Sequence, residues 1–388
     1  MTFNQTNRVL SLDAFRGIAI AGMILVNTPG SWNYIYPLLK HAEWHGCTPT
    51  DLVFPFFLFI VGVAMSFSFS KHIEQGFSKS QLHLKILKRS LIIFGLGLFL
   101  NAYPFNIPFS LAELQTSFHF IDILKRFETV RIVGVLQRIA MCYLFASLIT
   151  INLNKRGQVL TSISFLALYW VLITLFSSDP FSLEENLIRK IDLFILGKDH
   201  MYSGMGIPFD PEGLLSTIPA IVTVIFGLFV GDFLRKNISR VKKTYGLLIA
   251  GISGIIFGYI LGFGFPINKQ LWSPSYTIYT AGWATLILSG CFWLIDVKKI
   301  SKWAKPFIIF GTNPIFVFTA SGLAVKTILR INIQSGEIST SLYSWLYNSI
   351  FVPIGGNLNG SLFFAISWIF FWLLVLSYMY KKKIFIKI

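Results

Sequence analysis

Long apolar runs separated by short polar stretches dominate this chain. Ten runs reach the length that a helix needs to cross hydrocarbon, near 9–28, 50–70, 86–102, 132–152, 158–176, 213–232, 244–262, 277–296, 306–325 and 361–380. A helix advances ~1.5 Å per residue, so about 20 residues cover the ~30 Å of a bilayer core. The runs exceed strand length and lack period-two alternation, which sets membrane β-strands aside. The pattern predicts an all-α, polytopic membrane bundle of about ten helices, forming one domain over 1–388. The stretch 340–354 is apolar but interrupted by polar residues, and Pro353 falls near its end. It reads as an interfacial or re-entrant helix; an eleventh span there would carry the C-terminus to the other side.

Composition agrees with lipid as the solvent. Of 388 residues 54% are hydrophobic and only 13% charged, about half the charged share of a soluble domain, which excludes disordered and coiled-coil chains. The net charge of +16 invites a nucleic-acid reading, but its placement argues otherwise. With both termini inside, 22 Lys and Arg fall on the inner side and ten on the outer, with Arg138 within a span. That is the bias that orients membrane proteins. Glu184, Glu185, Asp192, Asp199, Asp210 and Glu212 share one outer loop. The polar N-terminus shows no signal peptide, and Cys47, Cys142 and Cys291 are too scattered for a metal site or a disulfide framework. The loops 103–131 and 177–212 are long enough to fold over a site.

Polar residues within apolar runs are costly and therefore point to function. In the first span Asp13 and Arg16 share a helix face, as an ion pair or as a functional pair. Gly17 and Gly22 suit close helix contact, and Asn27 either caps the helix or carries chemistry. The next stretch, HAEWHGCTPTD, places His41 and His45 four apart with Glu43 and Trp44 between them. Two His at that spacing suit a metal, yet no third ligand has credible spacing, so no metal is expected. One of them as a general base or acyl carrier is the sharper reading, with a carboxylate or Asn holding its tautomer. Thr50 or Asp51 also fits a helix cap. Arg131 and Arg138 lie on one face with Gln137 beside the second, and Arg138 needs an acidic partner such as Asp13 or an anionic ligand. Three later clusters carry Asp210, Glu212, Ser216 and Thr217; Asn268, Lys269, Trp272 and Ser273; and Asn313 with Pro314. Together they predict a polar cavity among the helices, reached from the outer side.

The segments SLDAFRGIAIAGMILVN, HAEWHGCTPTDLVFPFFLFIVG, RIVGVLQRIA, DPEGLLSTIPAIV, FPINKQLWSPSY and GTNPIFV occur in this order. As a set they resemble the heparan-alpha-glucosaminide N-acetyltransferase family, above all its compact bacterial, NagX-like members, over about residues 8–380. The resemblance implies a membrane-embedded enzyme that moves acetyl from cytosolic acetyl-CoA to the amino group of glucosamine or a terminal glucosaminide. It implies a bacterial inner membrane with both termini cytoplasmic, and a homodimer. By its motifs His41 is the catalytic His, Asn27 its neighbour and Asp13 the first-span acid. His45 stands where another branch of the family carries Asn. Arg138 and Gln137 are assigned to acetyl-CoA, with Arg131 and Arg16. Lys85, Lys88 and Arg89 are further candidates for its phosphates. Glu43, Trp44, His45, Asp51, Glu212, Trp272, Ser273 and Asn313 are assigned to the acceptor, and Asn27 or Ser273 to the thioester oxyanion. Asp13 and Asn27 are 14 residues apart, roughly 21 Å along a helix, a span that a pantetheine arm matches. Two other readings stand beside this one: an acyltransferase for another cell-envelope glycan, and an amino-sugar transporter.

Overall fold

The computed structural model describes residues 9–107, 120–335 and 338–386. The polar N-terminus through Arg8 and part of the long loop 103–131 lie outside the described residues. The helices are α1 (Leu10–Asn27), α2 (Pro49–Glu74), α3 (Lys79–Ala102), α4 (Phe120–Phe127), α5 (Val135–Asn152), α6 (Lys155–Leu175) and α7 (Leu187–Leu196). They continue as α8 (Thr217–Arg235), α9 (Arg240–Leu261), α10 (Pro274–Phe292), α11 (Lys305–Thr312), α12 (Pro314–Arg330), α13 (Leu342–Leu346) and α14 (Val352–Lys381). Helices satisfy their own backbone polar groups, which lipid requires. The protein is accordingly a multi-pass, all-helical membrane protein.

Each expected span coincides with a helix, but two do not qualify as simple crossings. Eight helices among the described residues are long and apolar enough, and a bent pair makes a ninth. The two expected spans that fall short of this length-and-apolarity count have physical reasons to do so. Helix α3 is 24 residues long, yet Lys79, Lys85, Lys88 and Arg89 charge its N-terminal half. The expected span 306–325 is broken: α11 and α12 meet at 75°, because Asn313 leaves helical geometry just before Pro314. The stretch 340–354 is helical from Leu342 and runs into α14 through a break at Gly356, whose φ is 68°. Within the all-helical fold the structure adds one antiparallel ribbon, β1 (Asn332–Ser335) and β2 (Ile338–Ser341), with Asn332 opposite Ser341.

Helices α1, α2 and α8 form the centre, with 67% of each apolar window buried, whereas α9 has 17% and α6 22% and both face lipid. Backbones in the centre approach closely. A Cβ at Gly62 of α2 would strike the Val224 carbonyl of α8, and one at Gly17 of α1 would strike the Phe307 carbonyl of α11. Gly22 packs against Val53. Lys and Arg concentrate where α1, α3, α6 and α9 begin, here called the basic end. The long loops lie at the opposite, loop end.

Gly62→Leu is expected to destabilise the bundle by about 1–3 kcal/mol or more through overpacking, whereas Gly95→Leu, with open space around it, is expected to be tolerated. Thermal unfolding in detergent, followed by size-exclusion chromatography, checks the contrast.

Candidate active site

The loop between α1 and α2 carries His41, and the start of α2 fixes it. Thr48 stands at the N-cap and Asp51 at the third helical position. The Asp51 Oδ2 accepts from the Thr48 N–H, the Thr48 hydroxyl and the Ala42 N–H, each at 3.0 Å. Its Oδ1 lies 2.6 Å from His41 Nδ1. Asp51 is 1% exposed, so this carboxylate is a buried charge with four hydrogen-bond partners. A carboxylate only accepts, so Nδ1 carries the proton and Nε2 is the basic nitrogen. The cap is thus Thr48, not Thr50 or Asp51, and Asp51 orients the histidine.

Lys269 reaches the same group from the loop before α10. Its Nζ lies 3.0 Å from His41 Nδ1, 3.4 Å from Nε2 and 3.5 Å from Asp51 Oδ1. Burial pulls the Lys269 ammonium below its ordinary range, against the carboxylates of Asp51 and Glu212. Its loop is rigidly held. The Asn268 side chain accepts from Leu271 N–H, Ser273 N–H donates to the Asn268 carbonyl, and the Ser273 hydroxyl accepts from Asn268 and Tyr276. Trp272 adopts a left-handed φ of 50°, which a bulky residue keeps only when its surroundings impose it. The two loops are joined where the Gly46 N–H donates to the Ile267 carbonyl at 2.7 Å. Gly46 has φ 108°, open to glycine. Burial, together with the Asp51 carboxylate, pushes the neighbouring Cys47 thiol up to about 12, so it is no thiolate nucleophile at neutral pH.

Opposite stands Arg131. It pairs with Asp210 through Nε at 2.8 Å and Nη2 at 2.5 Å, and with Glu212 at 2.5 Å, while its guanidinium lies over the Tyr202 ring. Burial works against the Arg131 charge, but the two carboxylates more than offset it and hold the group above its ordinary value. These groups border a cavity of about 440 Å³ at the loop end, with His41, Lys269, Glu212, Tyr202, Asn27 and Glu43 on its polar side. Met23, Val26, Val53, Phe54, Val135 and Met205 line the rest. The charged groups alternate in sign from Asp51 through Lys269, Glu212 and Arg131 to Asp210.

A larger cavity of about 860 Å³ opens at the basic end, bordered by Arg16, His72, Lys85, Lys88 and Arg89. No Asp or Glu lines it among the described residues. The cavities follow one another along the same helices. On α2, Thr50, Val53 and Phe54 border the first, and Phe57, Ile60 and Val61 the second. On α5, Val135 borders the first, and Ile139 and Tyr143 the second. Phe54 and Phe57 are three residues apart, ~4.5 Å along the axis, so about one layer of side chains divides them.

The expected site residues separate accordingly. His41, Asn27, Glu43, Glu212 and Arg131 meet at the loop-end cavity, and Asp51 stands behind His41. Trp44 and His45 point elsewhere: Trp44 donates to the Phe181 carbonyl and packs on Phe209, and His45 pairs with Asn268. Trp272 and Ser273 are buried scaffold, neither bordering the cavity. Asn313 lies at the basic end, where its side chain bonds the backbone of Ile384 and Ile386. Asp13 pairs with Arg16 at 3.1 Å, and Arg16 also donates to the Gly311 carbonyl. Of Arg16, Arg131, Gln137 and Arg138, Arg16 alone borders the basic cavity, together with the further phosphate candidates Lys85, Lys88 and Arg89. Gln137 is buried against Gly97, and Arg138, fully buried, donates to the Gly213 carbonyl and the Ser216 hydroxyl with its guanidinium over Trp272. Its partners are thus a carbonyl, a hydroxyl and an aromatic face, not Asp13. Lys269 is the group that sequence reasoning left without a role; its place in FPINKQLWSPSY was the available signal.

A polytopic helical membrane protein in which a buried aspartate holds a histidine at the wall of a cavity is the class these features define. The family model described as "Heparan-alpha-glucosaminide N-acetyltransferase, catalytic" matches residues 8–250, and the chain belongs to that family. It is 29% identical over 367 residues to the heparan-alpha-glucosaminide N-acetyltransferase of Homo sapiens, covering 80% of this chain and 52% of the human protein. For the Mus musculus protein of the same name the figures are 28% over 369 residues, 81% and 53%. The chain spans about half the length of the curated relatives it matches.

Asp192 on α7 gives the site a measurable pH dependence. It is fully buried, and its Oδ1 accepts from the Leu214 N–H at 2.9 Å, holding the segment that carries Glu212. Burial, with the nearby Asp210, pushes it up from 3.8 to about 7. A raised carboxyl stabilises the fold most below its unfolded value, and this contribution is lost as pH rises towards 7. The melting temperature of the wild type is expected to fall relative to Asp192→Asn between about pH 4 and 7, as differential scanning fluorimetry would record.

Proposed function

We propose that the protein is a membrane acetyltransferase that moves acetyl from acetyl-CoA to the amino group of glucosamine or a terminal glucosaminide. The observation that carries this reading is the His41–Asp51 pair at the wall of a cavity that backs onto a second one whose charged lining, among the described residues, is all basic. The basic cavity suits the phosphates of CoA, with Arg16, Lys85, Lys88 and Arg89 as partners. Arg16 and Asn27 are 11 residues apart on α1, ~17 Å along the helix, comparable to an extended pantetheine arm. A donor anchored at the basic end can therefore present its thioester beside Asn27 and His41. The basic end faces the cytosol in this reading, as the charge bias favours.

The loop-end cavity suits an amino-sugar acceptor. Glu212 and Glu43 attract an ammonium, and Tyr202 offers an aromatic face for a sugar ring. His41 Nε2 takes a proton from the amine as it attacks the thioester, or attacks the thioester itself and passes the acetyl on. Asp51 holds the tautomer and stabilises the imidazolium in the first route.

Purified wild type, given acetyl-CoA and glucosamine, is expected to release free thiol and form N-acetylglucosamine. His41→Ala is expected to lose at least about 100-fold in kcat while still binding CoA. Glu substitutions at Lys88 and Arg89 are expected to raise KM for acetyl-CoA and spare kcat. Thiol release and mass spectrometry of the sugar check these outcomes. Sugar flux into proteoliposomes without thiol release would overturn the transferase reading in favour of transport.

A further inference from the structure

We propose that Lys269 is a catalytic residue, the cation that meets the oxyanion formed on the transferred acetyl group. The inference rests on the acetyl-transfer reading and adds a role for a residue that the reading leaves idle. Acyl transfer from a thioester needs a donor aimed at the carbonyl oxygen as it gains charge. Among the described residues, Lys269 and Arg131 are the lysine and arginine that border the loop-end cavity. Arg131 is committed: two of its nitrogens hold Asp210 and Glu212. Ser273, named beside Asn27 for this task, is fully buried and occupied by Asn268, Ser275 and Tyr276.

Lys269 differs in how loosely its tip is held. Nδ1 of His41 already donates to Asp51, so the ammonium has only Nε2 at 3.4 Å and Asp51 Oδ1 at 3.5 Å to donate to around the histidine. Both distances lie at the long limit of a hydrogen bond. An ammonium has three donors, so it can turn to a developing charge without breaking a strong bond. Its stem is held among buried groups, with 15% of the side chain exposed, so the tip is positioned in advance. The ammonium lies against the imidazole, 3.0 Å from Nδ1 and 3.4 Å from Nε2, close to where the amine gives up its proton, and that amine nitrogen is bonded to the same carbon as the oxyanion.

The amine nitrogen forms a bond to the thioester carbon, the carbonyl pair moves to oxygen beside Lys269, and Nε2 takes the amine proton. As the carbonyl re-forms, the C–S bond breaks, and sulfur leaves as the thiol with the proton from Nε2. An oxyanion of the same kind forms if Nε2 attacks first, so the role of Lys269 holds for either route.

Lys269→Met is expected to reduce kcat by ~100–1000-fold with KM for both substrates nearly unchanged, the loss typical of a removed oxyanion donor. Lys269→Cys is expected to be similarly slow and to regain about tenfold or more after alkylation with 2-bromoethylamine, which rebuilds an amine at nearly the same reach. Wild type treated with the same reagent controls for Cys47, Cys142 and Cys291. Thermal unfolding and CoA binding establish that each variant is folded. A folded Lys269→Met within about fivefold of wild-type kcat, or a folded Lys269→Cys that alkylation does not restore, would overturn the inference alone. A wild type that releases no thiol with any amine would instead bring down the transfer reading, and this inference with it.

Discussion

The arrangement at the loop end depends on one buried carboxylate. Asp51 occupies the first turn of α2, where backbone N–H groups are unpaired and the helix dipole favours negative charge. Three donors on one oxygen and a histidine on the other offset its desolvation. The same bonds shape the chain around it. The Ala42 N–H fixes the loop next to His41, and the Thr48 bonds start α2. Tyr276 of α10 donates to the Asp51 backbone carbonyl at 2.5 Å, tying a third element to that point. A carboxylate so placed serves capping and orientation at once, and losing it would leave His41 free to turn.

This double use explains what sequence could and could not reveal. The helices were legible because lipid imposes a length and an apolarity that few other structures share. The break at Asn313–Pro314 was visible as polar residues in a span, but whether they lined a cavity or ended a helix depended on the C-terminal tail that bonds Asn313. His41 was legible through its motif. Asp51 read as a cap; Thr48 holds that position and Asp51 accepts its N–H from the third helical position, yet no spacing rule says that such a carboxylate also faces a histidine ten residues earlier. Trp272 and Ser273 looked like cavity lining because they are polar or amphipathic near a span. In the structure they are scaffold for the loop that carries Lys269. A lone lysine in a loop reads as a solvated charge, and only the fold brings Lys269 to a histidine 228 residues away.

Arg138 shows the opposite limit. An arginine within a span demands compensation, and an acid or a phosphate is the usual expectation. Here the compensation is a carbonyl, a serine hydroxyl and the face of Trp272. Asp192 grips the next residue from the other side through the Leu214 N–H. A buried arginine and a buried carboxyl group therefore hold residues 213–216 between them, just after Glu212. Gly213 is needed there because a Cβ would collide with the Asp192 carboxylate. The placement of Glu212 in the cavity thus rests on Arg131 within it and on Asp192 and Arg138, which do not line it.

The layer between the two cavities bears on the chemistry proposed. A thioester in contact with water hydrolyses, and a charged donor cannot cross an apolar layer whole. Phe54 and Phe57 on α2, with Ile139 on α5, form the apolar layer between the two cavities, which a slender arm would have to pass to join them. The charged groups beyond them alternate in sign and are largely removed from solvent, where each attraction is stronger than in water. Such a set resists rearrangement, because moving one member leaves its neighbours unpaired. The exception is the Lys269 tip, held by long contacts within an otherwise saturated row. In a site whose other charges are locked, the loosely held cation is the one able to follow a charge that appears only during reaction.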